Sequence, residues 1–261
     1  MLRLVKSDDG KYRKYEDLLL LREDVRKQAH QIQVDYTRVF GDLLMASFRE
    51  QIECIKLKKS IAYCQAAVNK GILPNMEDME KHIASLMTDY TDRLDQMYWD
   101  TEAAKNCTWI SDETAERIRK IYRRLAKRLH PDINPKTEDS EKLMELWVRI
   151  GIAYEANSLE ELEALEVLTS RALEQCGEAA VVVEIENIEE KIKGIEKDIE
   201  KIMETKPYIF SRILDDENLV LEKKKELREE ISEYCAYKNS LAAALQDLLE
   251  FAGAQNADRL S

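Results

Sequence analysis

Glycine and proline are nearly absent from this chain, with seven and four among 261 residues. So few turn-forming residues leave little room for frequent chain reversals. Together with 35% charged and only 7% aromatic residues, they suit long helices and coiled coils better than a compact α/β enzyme. No alternating strand pattern stands out. Cysteine is also sparse. Cys54, Cys64, Cys107, Cys176 and Cys235 lie far apart, are odd in number and show no metal-ligand spacing. They predict reduced thiols in a reducing compartment and no metal site. The start of the chain, MLRLVKSDDGKYRK, has no apolar core of a secretory leader, and no apolar run reaches membrane-spanning length. The expectation is a cytoplasmic protein without a membrane partner. Positive charge is in deficit, at a net −12, which argues against general nucleic-acid binding. No nucleotide loop, nucleophile elbow or carboxylate constellation occurs, so the chain is expected not to be an enzyme, with no catalytic residue and no cofactor.

What remains is helical periodicity. Residues 12 to about 70 contain no proline and one glycine, with apolar residues at spacings of three and four from Leu18 to Ile55. This predicts one very long helix, or two with a bend near Gly41. Gly71-Ile72-Leu73-Pro74 is a stop and a turn, and a second helix from about Glu77 to Ala104 is expected to fold back on the first. Val181, Ile185, Ile188, Ile192, Ile195, Ile199 and Ile202 step by four and three without exception. After the break at Lys206-Pro207, Val220, Leu227, Ile231, Tyr234, Leu241, Leu245 and Leu248 recur at spacings of three, four and seven, with Lys224 and Lys238 at seam positions. The two runs are expected to pair as an antiparallel coiled-coil hairpin. Pairing of the isoleucine seam with a second chain, giving a homodimer, stays open.

Between these arms lies a different pattern. In ERIRKIYRRLAKRL, Ile118, Ile121, Tyr122, Leu125 and Leu129 form one stripe, and seven basic residues cover the rest. Ser111 is a suitable N-cap, with Asp112 and Glu113 at the positive end of the helix dipole. His130-Pro131-Asp132 ends the helix, because proline cannot continue it and biases the preceding residue away from helical geometry. Asn134-Pro135 lengthens the turn, and Asp139-Ser140 caps a helix bearing Leu143, Leu146, Trp147, Ile150, Ala153 and Tyr154. The expected product is a helical hairpin with an exposed polar tip. Asn157-Ser158 then caps a further helix that ends at Gly177.

The segment YRRLAKRLHPDINP, followed by EKLMELWVRIGIAYEA, resembles the second helix, loop and third helix of a J domain, the module by which DnaJ-like co-chaperones engage a DnaK-type chaperone. The resemblance covers roughly residues 111 to 156. Trp147 stands where the family usually has phenylalanine, and Ala153-Tyr154 falls in register with its Ala-Tyr. The family's first helix, with its Tyr-x-x-Leu-Gly pattern, is missing before Ser111. NSLEELEALEVL replaces the usual short fourth helix. A Gly/Phe-rich linker and paired Cys-x-x-Cys zinc motifs are absent. The resemblance implies a DnaK-type partner, bound through His130, Pro131 and Asp132 and through Arg119, Lys120, Arg123, Arg124 and Lys127 on the basic helix. That partner's ATPase would be stimulated, and the coiled-coil arms would meet client proteins. The alternative is a coiled-coil scaffold or adaptor with a relic J-like hairpin.

The fold expected is therefore all-α and elongated, with long antiparallel hairpins flanking a central J-like hairpin. Its parts are 1–105 (N-terminal hairpin), 106–176 (J-like domain) and 177–261 (C-terminal coiled-coil hairpin). The helix near 77–104 is expected to replace the first J helix against Leu125 and Trp147. His30 and His82 are expected at a surface or seam, and Trp99 and Trp109 as packing residues.

Overall fold

A computed structural model describes residues 9–107, 110–175 and 187–260, and every regular element among them is helical. The helices are α1 (Asp9–Asn69), α2 (Met76–Asn106), α3 (Asp112–Leu129), α4 (Glu141–Glu155), α5 (Leu159–Gln175), α6 (Ile188–Glu204), the single turn α7 (Ser211–Leu214) and α8 (Glu217–Leu260). The expectations for Trp109, Cys176, Val181 and Ile185 fall outside the described residues.

The chain divides into two compact units: Met1–Gln33 with Thr108–Ile209, and Val34–Cys107 with Phe210–Ser261. These cut across the three-part division drawn from sequence. The cut falls within α1, which is one unbroken helix and contributes to both units.

In the first unit, α3, α4 and α5 bury Ile118, Ile121, Leu125, Leu129, Leu143, Leu146, Ile150, Leu162 and Leu165 in one cluster, joined by Leu20 of α1. Each fully buried leucine or isoleucine stabilises the fold by about 1.5–3 kcal/mol. Local signals start the helices as read. Ser111 accepts a hydrogen bond from the Thr114 N–H at 3.2 Å, and Ser140 from that of Leu143 at 3.4 Å. The isoleucine seam of α6 does not wait for the second heptad run. Ile192, Ile195 and Ile199 pack with Tyr15, Leu19 and Val25 of α1 and with Ile133.

In the second unit, α8 also packs on α1. Tyr36, Phe40 and Leu227 form one cluster, and Ile52, Cys64, Met79, Ile83 and Met87 form another with Leu245 and Leu248 against it. Lys238, expected to weaken a seam, instead pairs with Glu50 of α1 at 2.5 Å. Within its own unit each heptad run lays apolar residues on α1. A heptad states that a face needs covering, not by what.

Gly41 does not split α1, which runs through it as one helix. A Cβ there would lie 2.6 Å from Thr101 Oγ1 and 2.7 Å from Thr101 Cγ2. Glycine is needed at this point because α2 crosses α1 at Thr101, which is 2% exposed. Lys105 and Arg38 tie the same crossing, Lys105 to Asp42 at 2.8 Å and Arg38 Nε to the Ala104 carbonyl at 2.8 Å. No described helix is long and apolar enough to cross a membrane.

Candidate functional site

The turn after α3 is closed by its own backbone. The His130 N–H donates to the Ala126 carbonyl at 2.8 Å, and the His130 carbonyl accepts from the N–H groups of Ile133 and Asn134 at 2.9 and 2.7 Å. Pro131 ends the helix as its ring requires. Asn134 then locks the turn from both ends of its amide. Its Nδ2 donates to the Arg128 carbonyl at 2.8 Å, and its Oδ1 accepts from the Lys136 N–H at 3.2 Å.

Within this turn the three residues differ in environment. Asp132 is exposed and Pro131 half-buried, but His130 is only 8% exposed. The expected exposed tip is therefore corrected for His130. Its ring lies 4.9 Å from that of Trp147, and its Nδ1 accepts the Asp132 N–H at 3.1 Å. That bond places the ring proton on Nε2. Burial pushes the imidazole below its ordinary pKa, against the opposing pull of the Asp132 and Glu23 carboxylates. The histidine is a neutral spacer that shapes the turn, and Asp132 is the group presented outward. Replacing His130 by glutamine is expected to cost about 1–2 kcal/mol, not the negligible amount an exposed turn would imply.

The loop is also anchored from below. Ile133 is buried among Tyr15, Leu19, Ile192, Ile195 and Ile199. The Tyr12 hydroxyl donates to its carbonyl at 3.2 Å.

The basic face of α3 proves to be partly neutralised within its own unit. Arg123 Nε donates to Asp24 at 3.1 Å, and Lys127 lies 3.4 Å from Glu16 of α1. Arg124 grips Glu166 of α5 through two nitrogens, at 2.7 and 3.0 Å, and Arg117 meets Glu163 at 2.7 Å. Lys120 pairs only with Glu116 on its own helix, at 2.7 Å. Arg119 is exposed and forms no ion pair among the described residues. Of the five basic residues singled out from sequence, Arg119 and Lys120 are those without an ion pair to another helix among the described residues.

The acids that hold this face identify the element sequence reasoning missed. The expectation that residues 77–104 replace the first J helix is corrected. Leu20 of α1 enters the α3–α4 core, while the buried residues of α2 pack within the second unit. Asp24 organises the contact. Its Oδ1 accepts the Tyr154 hydroxyl at 2.8 Å while its Oδ2 holds Arg123. Tyr154 in turn stacks on Tyr122 at 3.8 Å between centroids. The Lys27 ammonium sits 3.6 Å from the Tyr154 ring centroid and donates to the Tyr154 carbonyl. Burial lowers the Lys27 pKa to about 8. The signal was present in the chain. Tyr15-Glu16-Asp17-Leu18-Leu19 resembles the Tyr-x-x-Leu-Gly pattern, with leucine in place of glycine. It stands far upstream of Ser111, inside a helix that continues without a break, and so it reads as one more stretch of coiled coil.

Other candidates play no part here. His30 and His82 are exposed, and His82 lies 5.9 Å from the Tyr63 ring. Cys54, Cys64, Cys107 and Cys235 are free. No cluster of metal-ligating side chains occurs among the described residues. Trp99 is not a packing residue: it is 67% exposed.

Residues 110–161 match the family model described as the DnaJ domain. Neither the curated proteins nor the solved structures gave a match to this chain.

Proposed function

We propose that this chain, whose residues 110–161 match the DnaJ-domain family model, is a co-chaperone which binds a DnaK-type chaperone and stimulates its ATPase. The observation that carries this reading is the turn itself. Asp132 projects from a loop stiffened by Pro131 and Asn134 and underpinned by Ile133, so little entropy is lost on docking. A carboxylate so held suits bidentate pairing with an arginine of the chaperone. Arg119 and Lys120, which form no ion pair outside α3 among the described residues, would steer an acidic surface onto the loop. His130 and Pro131 act by shape, and Arg123, Arg124 and Lys127 contribute at the margin of the contact. The chain's role is contact, and the bond-breaking chemistry belongs to the chaperone. Free thiols at the described cysteines suit a reducing compartment such as the cytoplasm. Client proteins would be met by the remaining helices.

One observation favours a second reading, a scaffold or adaptor with an inactive J-like hairpin. Arg123, Arg124 and Lys127 are already engaged by the chain's own acids. A steady-state ATPase titration of a DnaK-type chaperone separates the two. The co-chaperone reading expects acceleration by the wild type and a clear loss with Arg119→Glu/Lys120→Glu. Salt is expected to weaken the effect, as the Debye length falls from about 10 Å at 0.1 M to about 3 Å at 1 M. No acceleration at any concentration would favour the scaffold.

A further inference from the structure

The second unit carries a surface that the chaperone reading does not use. One side of α2 buries Met79, Ile83, Met87, Thr101 and Ala104. Trp99 stands two residues from Thr101, about 200° around the helix, and so points away from that core. It is 67% exposed, and Tyr98 beside it is 49% exposed. Their rings meet edge to face at 5.4 Å and 74°, which holds both in place. Tryptophan is highly buried on average in folded proteins, so an outward, ring-supported tryptophan on a well-formed helix marks a contact surface.

The charge around it selects the partner. Asp95, Asp92 and Asp89 lie four, seven and ten residues before Trp99, along the same outward stripe, and all are exposed. None forms an ion pair among the described residues. The bases of α2 are spent elsewhere. Lys81 pairs with Glu77, Lys105 with Asp42 and Glu102, and Arg93 lies over the Phe48 ring. We propose that this face of α2 is a docking surface for a lysine- or arginine-bearing protein segment, with Trp99 as the aromatic anchor and Asp89, Asp92 and Asp95 as the acidic rim. Tryptophan is the best aromatic partner for a cation, and aromatic anchors ringed by polar groups are where binding energy concentrates. A second copy of this chain is a poor occupant, because both carry a net −12. Nucleic acid and anionic membrane are repelled on the same ground.

The test titrates the full chain into a short fluorescent peptide rich in arginine and lysine, and into its glutamate counterpart, with anisotropy read at about 0.15 M salt. The wild type is expected to bind the basic peptide only. Trp99→Ala should weaken binding about fivefold or more, with Trp99→Phe in between. Asp89→Asn/Asp92→Asn/Asp95→Asn should weaken it further than a control triple on α8, Glu230→Gln/Glu233→Gln/Asp247→Asn, which removes the same charge from other exposed acids. All these positions are exposed, so an unchanged helical signal is expected to accompany each variant. The proposal is overturned if the wild type does not bind the basic peptide, or if Trp99→Ala binds like the wild type. It is equally overturned if the α8 triple weakens binding as much as the α2 triple, since the attraction would then be net charge alone.

Discussion

Replacing Asp24 by alanine removes two contacts at once, and their sizes follow from their surroundings. The Tyr154 hydroxyl loses its acceptor inside a residue that is only 4% exposed. A hydrogen bond to a charged group under such conditions is worth about 1.5–3 kcal/mol. The Arg123 guanidinium is about half exposed, so losing its pair adds only about 0–1 kcal/mol. The expected cost is about 2–3 kcal/mol, read by urea unfolding followed through the helical signal. Asp24→Asn retains an acceptor of the same shape and should cost less than alanine. A double-mutant cycle with Tyr154→Phe isolates the shared bond, with a coupling of about 1–2 kcal/mol expected. The Arg123 contact is untouched by Tyr154→Phe, so the cycle reports the buried half alone. A cost below about 0.5 kcal/mol for Asp24→Ala, or no coupling to Tyr154, would refute the view that the start of α1 is an integral helix of this domain.

Two further outcomes follow from the same reasoning. Gly41→Ala gains about 1 kcal/mol of helix propensity but forces a methyl group into Thr101, at a cost of about 1–3 kcal/mol. A net loss is expected in thermal unfolding, and the double variant with Thr101→Ala should recover most of it. Lys27 has its pKa depressed to about 8 by burial, against 10.5 when solvated, so the unfolded chain binds more protons between those values. The Lys27 contribution, read as the unfolding free energy of the wild type minus that of Lys27→Met, should therefore rise as pH passes from about 8 towards 10. In both proteins burial holds the Cys54 and Cys64 thiols, and at higher pH the Tyr122 and Tyr154 hydroxyls, protonated while their unfolded counterparts ionise, so each should lose stability as pH rises through those unfolded values.

The legible part of this chain was its local chemistry. The α3 and α4 stripes, the caps at Ser111 and Ser140, the stop at Pro131 and the turn before Pro135 all depend on neighbours within a few residues, and each was readable. What escaped was partnership at long range. Asp24 and Lys27 meet Tyr154 across roughly 130 residues, Leu20 joins the same core, and nothing local distinguishes the three from the remainder of a continuous amphipathic helix. The isoleucine seam of α6 was visible as an apolar face, but its pairing with Tyr15 and Leu19 was not, because a heptad fits any complementary stripe. The burial of His130 escaped for the same reason. Its cover comes from Trp147 on the next helix and from the neighbourhood of α1, not from the turn that holds it. Gly41 read as the place where a bend would divide the first helix and proved to be a crossing, which only the position of Thr101 explains.

The central claim is that Asp132, held by this turn, is the group through which the chain acts on a DnaK-type chaperone. Asp132→Asn tests it most directly. The side chain is about half exposed, and its backbone N–H bond to His130 is unaffected by the change. The fold should therefore remain intact, with stability altered by about 0.5 kcal/mol or less. In a steady-state assay of the chaperone's ATPase, the account predicts acceleration by the wild-type chain and its loss with Asp132→Asn at equal helical signal. Equal acceleration by both proteins would contradict it.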